Sequence, residues 1–161
     1  MALEIERKWL GDSRGVQDRY PDARWYDEKY KEVIYLIASE DLDVRISKTW
    51  RPGNELRVVY KLVIKRGRGL AREEIKYTVD EEAYEQAKRL VSRPPVIKHL
   101  KKYSFEGHTI EENTVDDEWV YYEIEYPTVE AAHQDPISLG KEVTGDYQYS
   151  MSYYWRNGLN G

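Results

Sequence analysis

The chain has 161 residues, enough for a single domain with a hydrophobic core, and its 40% of hydrophobic residues include no stretch long enough to cross a membrane. The formal net charge of −5 argues against a protein that coats nucleic acid, and the opening residues lack the apolar region of a signal peptide. Because there are no cysteines, disulfides and thiolate metal sites are excluded, and we expect a cytoplasmic protein.

The first predicted strand carries a charge at every second residue. Glu4, Glu6 and Lys8 would share one face of an extended strand, with apolar side chains on the other. On its own this pattern is more typical of a solvated sheet face. Two neighbouring carboxylates repel each other, however, unless a cation lies between them. A divalent metal ion would satisfy both, and the lysine could hold an anion that the metal bridges.

Alternation with a period of two continues in predicted strands at 41–49, 56–65 and 70–79, and the last two form a hairpin around a Gly-containing turn. Each strand has one apolar face and one charged face. The charged faces carry Asp43 and Arg45, then Arg57, Lys61 and Lys65, then Arg72, Glu74 and Lys76. We therefore expect Arg45, Lys65 and Arg72 to point into one space. The segment 11–24 has no clear assignment.

A helix is predicted from residue 81 to about 92, with Asp80 as its cap and a Pro-Pro pair after its end. Further strands are predicted near 96–105, 109–115 and 119–126, and Pro127-Thr128 opens a short helix. In the last strand Glu123 and Glu125 share a face.

Seven or eight strands with few helices predict an antiparallel barrel or a strongly curved sheet. The commonest antiparallel arrangement is a sheet with one solvated face. Mixed charges that recur on strand after strand favour instead a closed barrel, with a polar, water-filled lumen and helices covering its apolar outside.

Six stretches, in order along the chain, resemble the CYTH or triphosphate tunnel metalloenzyme superfamily. Glu4-x-Glu6-x-Lys8 matches its amino-terminal Glu-x-Glu-x-Lys signature. The other five stretches are Val44-Arg45-Ile46, Lys61-Leu62-Val63-Ile64-Lys65, Arg72-x-Glu74, Glu123-Ile124-Glu125, and a closing segment at 140–150. Together they extend over nearly the whole chain.

The resemblance implies a mainly β (α+β) fold, an eight-stranded antiparallel β-barrel tunnel with a few helices packed outside, formed as one domain by residues 1–161. It also implies a charged interior that binds a triphosphate together with Mg2+ or Mn2+. Most members of the family hydrolyse inorganic triphosphate, thiamine triphosphate, nucleotides or RNA 5′-triphosphate ends, and one branch cyclises ATP.

Residue by residue, the resemblance implies three overlapping sets. The catalytic set is Glu4, Glu6, Lys8 and Glu125. The substrate-binding set is Lys8, Arg45, Lys65, Arg72, Glu74, Lys98 and Lys102. The metal-binding set is Glu4, Glu6, Glu123, Glu125 and Glu111.

Two departures from the family pattern change the charge of the predicted lumen. Lys76 stands where the family often has a glutamate, and Ser47 where it often has a second arginine.

The strand at 96–105 leaves two assignments open. Aligning the family's Lys-x-Arg-Tyr on Lys102-Tyr103 places Leu100 where the lysine belongs, although Lys98 shares that face. A slip of one residue would use His99 and Lys101 instead. On the next strand, Glu111 fits the family's aspartate best, followed by Asn113.

The sequence thus predicts a metal-dependent hydrolase of inorganic triphosphate or of a nucleoside or organic triphosphate. The alternatives are a class IV-type adenylate cyclase, or a non-catalytic module that binds a nucleotide or polyphosphate. The expected partner is a small molecule with a triphosphate, nucleic acid being expected only as an RNA 5′-triphosphate end. We expect a monomer or a homodimer.

Overall fold

The structure is a computed structural model that describes residues 2–159. The strands in chain order are β1 (Ala2–Leu10), β2 (Arg24–Ala38), β3 (Leu42–Arg51), β4 (Asn54–Arg66), β5 (Ala71–Val79), β6 (Val96–Phe105), β7 (His108–Val115), β8 (Trp119–Glu125) and β9 (Lys141–Glu142). The helices are α1 (Val16–Arg19), α2 (Glu81–Leu90), α3 (Val129–Gln134) and α4 (Met151–Asn157), with a 3-10 turn at Tyr147–Tyr149.

Strands β1 to β8 close into an antiparallel barrel in the order β1-β5-β4-β3-β2-β6-β7-β8, after which β8 returns to β1. The closing strand is β1, which pairs with β5 at residues 2–5 and with β8 at residues 6–10. Beyond the residues of β1 that pair with β5, Trp9 and Leu10 pair with β9. The predicted eight-stranded barrel is confirmed.

The apolar outer face of the barrel packs against helices. Helix α2 buries Tyr84 and Ala87 against Ile34 and Ile46, while the segment around α3 packs on the largest hydrophobic cluster of the outer face. Burial of these apolar surfaces is the main favourable contribution to folding. The charged faces of the strands are thereby directed into the lumen.

Several local assignments are confirmed and several elements are new. The Asp80 carboxylate accepts a hydrogen bond from the Ala83 amide, as expected of an N-cap, and α2 ends at Leu90, two residues before the predicted end. Thr128 caps α3 in the same way. Strand β2 and helices α1 and α4 lie in segments for which the sequence predicted no element. Among residues 2–159, no helix is long and apolar enough to span a bilayer.

Arg7 fastens the chain after α3 to the outside of β1. Its guanidinium donates to the carbonyl oxygens of Ala132 at 3.1 Å and Asp135 at 2.8 Å, and pairs with Glu142 at 2.7 Å. These bonds hold the segment that leads into β9 against the strand whose inner face carries Glu6 and Lys8.

Replacing Arg7 with lysine should lower the free energy of unfolding by about 1–3 kcal/mol, because an ammonium group cannot reproduce the forked contacts of guanidinium. Urea denaturation measures the change. The matched control is Arg66→Lys, since Arg66 forms an exposed pair with Glu73 at 2.7 Å; its effect should stay below about 0.5 kcal/mol. Equal losses in the two variants would contradict the role of Arg7.

Candidate active site

Charged side chains from six strands meet in one cavity inside the barrel. Eight predicted site residues line it: Glu4, Glu6, Lys8, Arg45, Lys65, Arg72, Lys98 and Glu123. Among them are Arg45, Lys65 and Arg72, as the alternation predicts. The cavity opens at the end of the barrel where β2 and β4 end, and residues between 145 and 152 form part of its rim.

Two glycines allow the rim to close tightly. Gly145 has φ +74°, and a Cβ atom there would lie 2.8 Å from the Cα atom of Gly69 in the β4–β5 turn. Any larger residue would therefore force these backbones apart. The segment that contains Gly145 thus reaches across the opening to the hairpin turn.

Four other predicted site residues lie outside the cavity lining. Glu74 is adjacent to it and contacts Lys65 at 3.5 Å. Lys102 and Glu111 lie deeper in the barrel and contact each other at 3.9 Å. Glu125 is opposite Glu6 in the β1–β8 register, but it is exposed. The roles predicted for these four residues stay predictions.

The structure determines the register of β6. Lys98 is 7% exposed and lines the cavity, and Leu100 occupies the next inward position. His99 lies on the other face, where its Nε2 is 2.9 Å from a Glu28 carboxylate oxygen. The slip that would direct His99 and Lys101 inward is therefore excluded. On β7, Asn113 is fully buried and donates to Glu123 at 3.4 Å.

Glu6 and Glu123 form a carboxyl pair inside the barrel. Burial raises the pKa of Glu6 well above its usual range, and the charge of Glu123 raises it further. Burial also opposes ionisation of Glu123, but a hydrogen bond from Glu6 and the charges of Lys8 and Lys98 hold the pKa of Glu123 well below its usual range. Of the two carboxyl groups, Glu6 therefore keeps its proton to the higher pH.

Glu4 and Glu74 repeat this arrangement beside Lys65. Burial raises the pKa of Glu4 despite the nearby lysine, whose Nζ lies 3.1 Å from a Glu4 carboxylate oxygen. In Glu74, burial is outweighed by a hydrogen bond from Glu4 and by the charge of Lys65, so that its pKa is lowered. In both pairs the neighbouring carboxyl group helps to raise one pKa, and a bound cation would favour ionisation of both members.

Arg45 is held by residues for which no role was predicted from the sequence. Asp43, only 3% exposed, accepts from the Arg45 Nε at 3.2 Å and from an Arg45 terminal nitrogen at 2.9 Å. The Tyr35 ring lies 5.3 Å from the guanidinium carbon. The alternation in β3 placed Asp43 on the charged face of that strand. Tyr35 could not be found in this way, because β2 was not predicted from the sequence.

Two buried polar groups at the cavity have no hydrogen-bond partner within the described part of the chain. They are the Tyr35 hydroxyl and the Arg72 Nε. Buried polar groups are nearly always satisfied, and both of these can donate to an anion. The cavity therefore has unused donors as well as cations.

Lys8 lies between the carboxylates and an aromatic wall. Its ammonium nitrogen is 4.1 Å from the centre of the Tyr121 ring. Burial lowers the pKa of Lys8 to about 8, although Glu123 and Glu6 partly counteract the shift.

Residues 2–159 contain no group of three or more His, Asp or Glu side chains already arranged as a metal-binding shell. The donor chemistry nevertheless fits a hard divalent cation. Glu4, Glu6 and Glu123 all line the cavity, and carboxylate oxygens are the ligands that Mg2+ and Mn2+ prefer. A bound cation would relieve the repulsion between the paired carboxyl groups.

Comparison with known proteins agrees with this geometry. No protein-family model matches the sequence. The inorganic triphosphatase of Acetivibrio thermocellus is 30% identical over 167 residues, which cover 98% of this chain and 96% of that protein. The crystal structure of the inorganic triphosphatase NE1496 has a TM-score of 0.56 at 21% identity, covering 91% of this chain and 93% of that chain. The PH1819 protein of Pyrococcus horikoshii OT3 has a TM-score of 0.62 at 20% identity, covering 81% of each chain.

The raised pKa of Glu6 makes the stability of the metal-free protein depend on pH. Above the usual glutamate pKa of 4.5 the unfolded chain releases the Glu6 proton, while the folded protein retains it. Through Glu6, stability therefore falls as pH rises from about 4.5 towards the raised value. In chelator, Glu6→Gln should melt at a higher temperature than the parent at about pH 8, and this advantage should shrink near pH 4.5.

Scanning calorimetry across that pH range measures the effect. Glu73→Gln, on the outer face of β5, is the control and should not raise the melting temperature at about pH 8. A constant difference between Glu6→Gln and the parent would show that Glu6 titrates normally.

Proposed function

We propose that the chain, which belongs to the triphosphate tunnel metalloenzyme superfamily, hydrolyses inorganic triphosphate with the help of Mg2+ or Mn2+. The observation that carries the proposal is a cavity inside the barrel that combines carboxylates, lysine and arginine side chains, and two donors without a partner in the described residues. A triphosphate and a divalent metal ion together present the complementary charges. The 30% identity to an inorganic triphosphatase over nearly the whole chain supports this substrate.

The cations of the cavity would bind the phosphate groups. Hydrolysis of a phosphoanhydride depends mainly on positioning and on stabilising charge at the transferred phosphoryl group. Lys8, Arg45 and Arg72 approach the cavity from three different strands and would surround a polyanion. In a partly dehydrated lumen such charge-assisted hydrogen bonds are stronger than on an open surface.

The carboxylates would hold the metal ion. Glu4, Glu6 and Glu123 are the ligands proposed from the cavity lining. Glu125 and Glu111, also predicted from sequence, lie outside that lining and would act only from a greater distance. A divalent ion bound here supplies charge neutralisation at the phosphate oxygens. Because the pKa of Glu6 is raised without a cation, binding of the ion would favour the ionised form of this residue.

In the proposed reaction, the oxygen of a water molecule forms a bond to the terminal phosphorus as the anhydride bond to the bridging oxygen breaks. Pyrophosphate leaves and orthophosphate forms. An ionised carboxylate in the cavity would orient the water and accept its proton. Lys8 and Arg72 would stabilise charge on the transferred group, since both donate into the enclosed space.

Release assays with triphosphate, ATP, thiamine triphosphate and triphosphorylated RNA, each with Mg2+ or Mn2+, test the proposal. We expect metal-dependent release of orthophosphate, with triphosphate the preferred substrate. Cyclic AMP and pyrophosphate from ATP would identify the cyclase alternative, and tight binding without turnover would identify the binding module.

Glu6→Gln should abolish the metal-dependent activity, because it retains the shape of the side chain but removes one ligand charge. Circular dichroism should show an intact barrel. Glu73→Gln, whose side chain is on the outer face of the barrel, should keep the parental rate. Full activity of Glu6→Gln, or of the parent in excess chelator, would rule out the proposed metal site.

Asp43→Ala should weaken triphosphate binding and turnover about tenfold or more, because it releases the Arg45 guanidinium from its two-point contact. Asp43→Asn, which keeps one acceptor oxygen, should recover part of this loss. The decisive measurement is a double-mutant cycle with Arg45→Ala. If Asp43 acts through Arg45, removing Asp43 in the Arg45→Ala background should have little further effect. Additive losses would assign Asp43 an independent role.

A further inference from the structure

The barrel continues beyond the cavity to its opposite end, where β2 begins and β6 ends; we call this the far end. Lys29 and Lys31 lie on β2 on the same inward face as Tyr35. In the β2–β6 register Lys31 is opposite Lys98, and Lys29 is opposite Leu100. Lys102, two residues beyond Leu100, continues the inward face of β6. A row of cations therefore extends from the cavity towards the far end.

The acidic residues at the far end already have partners. Arg51 pairs with Asp27 at 3.1 Å, and Lys102 lies 3.9 Å from Glu111. Within residues 2–159, neither Lys29 nor Lys31 has a hydrogen bond or an ion pair. Glu111 attracts both lysines and Asp27 attracts Lys29, but only from beyond ion-pair distance. Two adjacent ammonium groups inside the barrel thus lack a direct partner in the described part of the chain.

Such an arrangement is costly without a ligand. Burial lowers the pKa of Lys31 well below its usual range, and the charges of Lys98 and Lys29 lower it further. Burial lowers the pKa of Lys29 in the same direction, with Lys102 adding to the shift. A bound anion would relieve this mutual repulsion, because it offers acceptor oxygens to several ammonium groups at once.

We propose that Lys29, Lys31 and Lys102 form a second oxyanion site in the far half of the lumen, which takes a phosphate group beyond the three bound in the cavity. The identification of the ligand as phosphate rests on the proposed function, because the site lies in the same lumen as the cavity. Lys98 borders both, since it lines the cavity and is opposite Lys31.

The phosphate group has two possible sources. It is either the fourth group of a linear polyphosphate longer than triphosphate, or orthophosphate released from a shorter substrate. The far end is accessible for either, because the Lys102 side chain is 24% exposed and the Arg51 side chain 56% exposed. The chemistry of recognition is the same in both cases.

Lys31→Met and Lys29→Met remove the charge while keeping an unbranched side chain. The matched control is Lys101→Met on β6, whose side chain lies on the face of the strand opposite to that of Lys102. Calorimetric titration with orthophosphate measures binding without any need for turnover. We expect Lys31→Met to weaken orthophosphate binding about tenfold or more, the effect of losing one charge-assisted hydrogen bond, and Lys101→Met to match the parent.

Kinetics distinguish the two sources. If the site holds a fourth phosphate, Lys31→Met raises the KM for tetraphosphate while the KM for triphosphate stays near the parental value. If it holds the product, Lys31→Met weakens inhibition by orthophosphate instead. Unchanged orthophosphate binding in both Lys31→Met and Lys29→Met would overturn the second site. A parent that binds orthophosphate through Lys31 but hydrolyses no triphosphate would overturn the proposed function and leave the second site standing.

Discussion

Closure of the sheet on β1 is the constraint on which the candidate site depends. The first residues of β1 bond to β5 and the later ones to β8, so that Glu4 lies beside Arg72 and Lys8 beside Glu123. Charged rows that are far apart in the sequence thereby face one enclosed space. In an open sheet the same rows would face water, and neither the raised pKa of Glu6 nor the lowered pKa of Lys8 would arise.

Enclosure makes the balance of charge inside the barrel a condition of folding. Removing an isolated ion from water costs several kcal/mol, and an opposite charge offsets this cost only with good geometry. Lys65 lies between Glu4 and Glu74, and Arg45 is held by Asp43. Under the proposed function, binding of substrate and metal would replace these internal ion pairs. The lysine and arginine side chains would contact phosphate oxygens, and the carboxylates would contact the metal ion. The raised pKa values of Glu4 and Glu6 show where the balance of charge without a ligand is incomplete.

Alternation with a period of two predicted the barrel, and the resemblance to the family indicated most of the residues that line the cavity. Once β1, β3, β4 and β5 were recognised, the inward direction of Arg45, Lys65 and Arg72 followed from the strands themselves. Strand β2 was missed, and with it Tyr35, Lys29 and Lys31. The sequence also could not show which carboxylates line the cavity, because this depends on how far each strand is shifted along its neighbours. Glu125 shares the face of Glu123 but lies exposed near the end of β8.

The neighbouring strands β2 and β6 offset two departures from the family pattern. Ser47 stands where the family often has an arginine, and Leu100 where it has a lysine; both side chains are buried, and neither is charged. The same interior contains Lys98, one inward position from Leu100, and Lys31 opposite Lys98. A barrel wall has many inward positions at similar depth. A lysine on an adjacent strand can therefore take the place of a missing basic residue and still face the lumen. The charge available to an anion therefore depends on the whole barrel wall. A motif on one strand underestimates the number of basic residues that face the lumen.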